Sequence, residues 1–130
     1  MRLTRPQTIP EFDTSLAQSD GIWAATIRYR EGIFYIATVF TFTSGQGGRS
    51  KFGLIFNSTN PFDDDAWSDP LRYEPEYIDP NLIWDVSGQA YIASAGTFIQ
   101  EVDLRTASLG KAVNIWNGTT GNFLEGPHIH

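Results

Sequence analysis

The chain has 130 residues, with nine basic against fifteen acidic side chains, a formal net charge of −6 and a sequence pI near 4.7. That length suits one domain with a single core. The acidic balance excludes nucleic acid and anionic membrane surfaces as partners, because both are bound through Lys and Arg clusters and none is present. Aromatic residues make up 14% of the chain, far more than disordered segments carry. There is no cysteine, which excludes disulfides and thiolate metal sites.

From the N-terminus, Met1-Arg2-Leu3-Thr4-Arg5-Pro6 lacks the apolar h-region of a secretory leader. No stretch reaches the roughly 18 apolar residues of a membrane span, so no membrane partner is expected and localisation stays open. Apolar runs rich in β-branched and aromatic residues then follow, each bounded by Gly, Pro, Asn or Asp. They are Thr26-Ile27-Arg28-Tyr29, residues 33–40, Phe52-Gly53-Leu54-Ile55-Phe56, Leu82-Ile83-Trp84 and Ala90-Tyr91-Ile92-Ala93. Such runs read as strands. Arg30-Glu31-Gly32 and Asp85-Val86-Ser87-Gly88 separate consecutive runs as hairpin turns. Gln100-Glu101-Val102-Asp103-Leu104 alternates with period two and predicts a further strand. Gly45-Gln46-Gly47-Gly48 precedes Arg49-Ser50 instead of a Lys-Ser/Thr pair, so it reads as a loop and not a phosphate cradle.

The hairpins repeat. Residues 21–36 and 77–92 share a small-residue opening, an apolar strand, a polar turn closed by Gly and an aromatic strand, with Gly32 and Gly88 standing 56 positions apart. A repeat of roughly 40 to 50 residues built of four strands is the β-propeller pattern. A β-sandwich with two similar hairpins is the competing reading.

Three segments resemble glycoside hydrolase family 43. Gly21-Ile22-Trp23-Ala24-Ala25-Thr26-Ile27-Arg28-Tyr29 is similar to that family's GIWAPTIRY opening, Tyr77-Ile78-Asp79-Pro80-Asn81-Leu82 to its GIDPSLF segment, and Glu125-Gly126-Pro127-His128-Ile129 to its EGPHIY segment. Pro61-Phe62, Trp67-Ser68-Asp69-Pro70 and Ile115-Trp116-Asn117-Gly118 match in order between them. Ala25 stands where the family has Pro, His130 where it has Tyr, and Asp63-Asp64-Asp65 enlarges a compact turn.

The resemblance implies an all-β chain forming part of a five-bladed β-propeller: one partial domain over 1–130, with one blade at roughly 21–72, the next at 77–118, and 124–130 beginning a third. It implies a β-xylosidase or α-L-arabinofuranosidase that hydrolyses plant-cell-wall pentose polymers with inversion, with carbohydrate as its partner and no cofactor. The general acid maps to Glu125, and an aspartate that orients and tunes it maps to Asp79. The family's general base lies on a preceding blade, which has no counterpart here. Five blades need roughly 250 residues.

Inversion needs one carboxyl to protonate the leaving oxygen and another, roughly 6.5 to 9.5 Å away, to activate water on the opposite face. Read without the family pattern, Glu125 is a solvated glutamate and Asp79 an Asp-Pro turn former. Trp23 sits at its blade's opening, where an indole either stacks on a sugar or seals neighbouring blades. Trp67, Trp84 and Trp116 read as core. His128 and His130 share one strand face but lack further ligands at a fitting spacing, so no metal site is expected. Asp63-Asp64-Asp65 lacks the Gly and closing Glu of a calcium loop and reads as a solvated turn. Asn57-Ser58-Thr59 and Asn117-Gly118-Thr119 match a glycosylation sequon that chance supplies often.

Two functions remain open from the residues. One is a glycoside hydrolase carrying the acid but not the base; the other is a non-catalytic or decayed carbohydrate-binding fragment. Blade faces left bare, lined by Ile27, Tyr29, Phe34 and Ile36, predict self-association.

Overall fold

Strands follow one another in sequence order and close into two four-stranded antiparallel sheets. A computed structural model describes residues 18–43, 48–116 and 124–129. The first sheet holds β1 (Gln18–Arg30), β2 (Ile33–Thr43), β3 (Arg49–Ser58) and β4 (Leu71–Tyr73). The second holds β5 (Asn81–Trp84), β6 (Ala90–Ser94), β7 (Phe98–Glu101) and β8 (Val113–Asn114). The all-β reading holds, and the sheets are consecutive blades of a partial β-propeller.

Local chemistry explains the turns. Glu31 and Gly32 take φ of 51° and 84°, so two left-handed residues join β1 to β2. That is the type I′ geometry whose twist matches the flanking strands. Its counterpart in the second sheet closes through Gly88 at φ 91°, with the Gly88 amide donating to Asp85 O at 3.1 Å. The two turns are neighbours in space: the Arg30 guanidinium lies 5.4 Å above the Trp84 ring.

The strand expected over residues 100–104 is shifted. β7 begins at Phe98 and ends at Glu101, leaving Val102 in a single bridge to Leu109. Asp103 then turns the chain, its carboxylate accepting from the Arg105 amide at 2.8 Å. An Asp with a partner two residues on favours a turn over continuation of a ladder.

Burial divides the first sheet by alternation along its strands. Ala37, Ile55 and Tyr73 face the second sheet and pack with Leu82, Ala90, Ile92 and Val102. Gly53 lies on the same face because the Tyr73 ring occupies the space a Cβ would fill. The opposite face gathers Ile36, Phe40, Phe52, Leu54 and Phe56, flanked by Ile22, Phe42 and Trp67. Residues 36–41 are therefore buried throughout. Ile36 is not the bare face residue expected from the sequence; it belongs to this second cluster. Each such side chain contributes about 1.5 to 3 kcal/mol on full burial.

Candidate active site

β1 is interrupted where it nears the second sheet. Its pairing with β2 slips between Trp23 and Thr26, and Ala24 and Ala25 bulge outward, Ala24 at φ 48°. The Thr38 hydroxyl, donating to Trp23 O at 2.8 Å, pins the chain before the bulge. A bulge re-aims the residues that follow it. Beyond it, the Thr26 hydroxyl donates to Pro80 O at 2.8 Å, and an Arg28 Nη2 donates to Asn81 Oδ1 at 2.7 Å. The first sheet thus grips the segment carrying Asp79.

That segment in turn grips the third. Asp79 sits in the left-handed region at φ 58°, which Asp tolerates better than most side chains. Its Oδ2 accepts from the Gly126 amide at 2.9 Å. The nitrogen it holds is bonded to the carbonyl carbon of Glu125, an exposed residue. Asn81, fully buried, donates through Nδ2 to Pro127 O at 3.0 Å and approaches His128 Nδ1 at 2.8 Å. Backbone bonds from Ala95 N to Ile78 O and from Gly96 N to Leu124 O hold both segments against the β6–β7 turn.

The three stretches that stood out in the sequence therefore converge. Asp79 and the segment bearing Glu125 are directly bonded. Trp23 is half-buried three residues before Thr26; its Nε1 donates to Asp20 O at 3.2 Å and its ring carries the Arg49 guanidinium at 5.1 Å. Arg49 is anchored by Asp20 at 3.3 Å.

Other candidates settle as follows. Trp84 packs against Tyr35 at 5.3 Å and Trp67 flanks the second cluster, both as core. Trp116 is 55% exposed, so its core reading is corrected: it lies beyond β8, where no described strand covers it. Asp63 caps a short 3-10 turn at Asp64–Ala66, accepting from the Asp65 amide at 3.0 Å. His128 bonds Asn81, while His130 and residues 117–119 lie outside the described residues. Arg28 and Asn81 were not singled out in the sequence, although Asn81 directly follows the Asp-Pro pair. A polar side chain destined for burial needs partners, and those partners lie 46 to 53 positions away.

Two consecutive blades, the second opening with a carboxylate bonded to the backbone of the segment that follows them, define the class: a partial β-propeller. The chain belongs to the glycosyl hydrolases family 43, whose sequence model matches residues 3–130. It is 30% identical, over 98% of its length, to a non-reducing-end α-L-arabinofuranosidase of Bacteroides ovatus. It is also 30% identical, over 86% of its length, to a xylosidase/arabinosidase of Butyrivibrio fibrisolvens. The crystal structure of a xylan β-1,4-xylosidase from Bacillus halodurans shares the fold, with a TM-score of 0.69 over 85% of this chain and 23% of that one, at 24% identity. The chain spans about a quarter of the length of the curated relatives it matches, 24% of each.

Proposed function

We propose that this chain supplies the acid half of an inverting glycoside hydrolase of the β-xylosidase/α-L-arabinofuranosidase type, acting on O-glycosidic bonds of pentose polymers. Glu125 is the general acid, Asp79 orients and tunes it, and Trp23 offers a platform for a sugar ring. The blades run over 21–72 and 77–118, and 124–130 opens a third. The observation that carries this reading is the bond from the Gly126 amide to Asp79 Oδ2, at 2.9 Å. Family membership and the glycosidase names of the relatives support the reaction class.

In the chemistry proposed, Glu125 gives its proton to the glycosidic oxygen as the bond from the anomeric carbon to that oxygen breaks. Water attacks the opposite face of the sugar and yields its proton to a second carboxylate. That base comes from outside these residues. Asp79 acts on the acid through the backbone, by holding the amide of Gly126 that follows it.

Two measurements test the proposal. Xylo- and arabino-oligosaccharides are expected to shift the NMR signals of the Trp23 indole N–H and the Gly126 amide; unmoved signals at saturating sugar would overturn the binding site. Turnover of aryl xylosides and arabinofuranosides by the chain alone is expected to be negligible. Robust hydrolysis that Glu125→Gln abolishes would place the base within the chain. Hydrolysis indifferent to Glu125→Gln would remove Glu125 as the acid.

A further inference from the structure

We propose that Arg28 and Asn81 are positioning residues that hold the acid-bearing segment in one orientation and fix His128 in its Nε2–H tautomer. The inference rests on the reading of Glu125 as the acid.

The argument starts from the donor and acceptor inventory of one amide. Asn81 is fully buried, and its side chain has one acceptor oxygen and two N–H donors. All are used. Oδ1 accepts from Arg28 Nη2 at 2.7 Å, and Nδ2 faces Pro127 O at 3.0 Å and His128 Nδ1 at 2.8 Å. A guanidinium can only donate. It therefore decides which end of the amide is oxygen, and a flipped amide would set N–H against N–H on one side and O against O on the other. With Nδ2 a donor, His128 Nδ1 has to accept, and the ring proton resides on Nε2.

The consequence reaches Glu125 along the chain. Asp79 fixes the amide of Gly126, and Asn81 fixes the carbonyl of Pro127 and the ring of His128. Three successive residues after Glu125 are thereby tied to a three-residue stretch of the neighbouring blade, and that stretch is tied through Thr26 and Arg28 to β1. Pro127 adds its own restraint, since its ring fixes φ and disfavours helical geometry at Gly126. The acid thus leaves a backbone whose direction is set from both preceding motif segments. Displacement of a reacting group by about 1 Å can cost on the order of a hundredfold in rate, which is what such anchoring prevents.

Histidine-selective 15N NMR of the intact chain tests the relay. The chain has two histidines, so His130→Gln assigns the spectrum. The expected native pattern is His128 with a bare Nδ1 and a protonated Nε2. Asn81→Asp replaces the donors by acceptors while keeping a partner for Arg28. It should move the ring proton to Nδ1 and speed Gly126 amide exchange about tenfold, the effect of losing one net hydrogen bond. Arg28→Met should leave the amide free to flip and give a mixture of tautomers. A merely structural role for Asn81 would alter stability without transferring the ring proton. A native His128 that is Nδ1–H, or that exchanges tautomers freely, overturns the proposal even if neither variant folds. So does Asn81→Asp with unchanged tautomer and exchange. These readouts are independent of turnover, so loss of Glu125 as the acid and loss of the relay are separate results.

Discussion

Asp79 and Gly126, 47 positions apart, are joined by a 2.9 Å hydrogen bond from the glycine amide to the aspartate Oδ2. Two properties of Asp79 meet there: an acceptor oxygen, and tolerance of φ 58°. Asn shares both, and Ala shares neither. Asp79→Asn should therefore keep the Gly126 amide protected from exchange and leave the urea midpoint nearly unchanged. Asp79→Ala should cost about 2 kcal/mol, from a left-handed Ala and a lost hydrogen bond together. Equal stability of the two variants in urea titrations would show that the bond does not hold the segment.

Much of the fold is legible in the sequence. The turn at Glu31-Gly32 and the one closed by Gly88 are local features, written in residues that accept left-handed backbone, and both stand where the sequence puts them. The family resemblance names Asp79 and Glu125 together, and the structure joins Asp79 to Gly126, the residue after Glu125. The role of Asn81 was not legible, since its partners are set by how one sheet docks on another. The burial of Ile36 was hidden for a similar reason: alternation assigns a residue to a face but does not say what lies against that face. Val102, Asp103 and Leu104 continue a period-two pattern, yet Asp103 finds a nearer partner in the Arg105 amide and ends the strand.

The contact of Gly53 with Tyr73 sets a second test. Gly53→Ala places a methyl group where the buried Tyr73 ring lies and should cost about 1 to 3 kcal/mol, the usual range for overpacking. The Tyr73 hydroxyl has no hydrogen-bond partner among the described residues. Tyr73→Phe should accordingly be neutral or stabilising by about 1 kcal/mol, because it removes a desolvated, unpaired group. Burial pushes the Tyr73 phenol well above its ordinary value. The protonated phenol is thus favoured by folding, and this contribution is present in full below about pH 10 and lost as pH rises beyond it. Alkaline unfolding curves of the native chain and Tyr73→Phe should diverge above pH 10. Parallel curves would show that the ring reaches solvent.

The turn between β5 and β6 should respond to acid. Asp85 Oδ1 accepts from the Ser87 hydroxyl at 2.7 Å, the Ser87 amide at 2.9 Å and the Gln89 amide at 3.0 Å. These bonds, led by the Ser87 hydroxyl, hold the Asp85 carboxyl below the usual carboxylate range. A depressed carboxyl stabilises the fold above its unfolded value and loses that contribution as pH falls through the folded one. The Ser87 and Gln89 amides should therefore keep their bonded shifts down to about pH 4 and lose them only below it. Asp85→Asn should abolish that acid transition. Titration of both amides in the same way with Asn at this position would assign the transition elsewhere.

The last prediction concerns the outer face of the first sheet. Ile27 and Tyr29, 53% and 63% exposed, point the same way from β1, two residues apart. Tyr29 lies against Phe34 with ring centroids 4.7 Å apart, which widens the apolar surface. Among the described residues β1 is also an edge strand, paired within its sheet with β2 alone. Exposed apolar surface on an edge strand invites pairing with another chain. We therefore expect the purified protein to self-associate at micromolar concentration. Ile27→Lys with Tyr29→Glu should shift it toward monomer, since charges on an exposed edge oppose pairing. Thr26 and Arg28 point to the second sheet, so the double substitution leaves those bonds in place. Sedimentation velocity of the native chain and the double variant decides the matter. A native protein that sediments as a monomer with low dye binding would mean that this face is not a site of association.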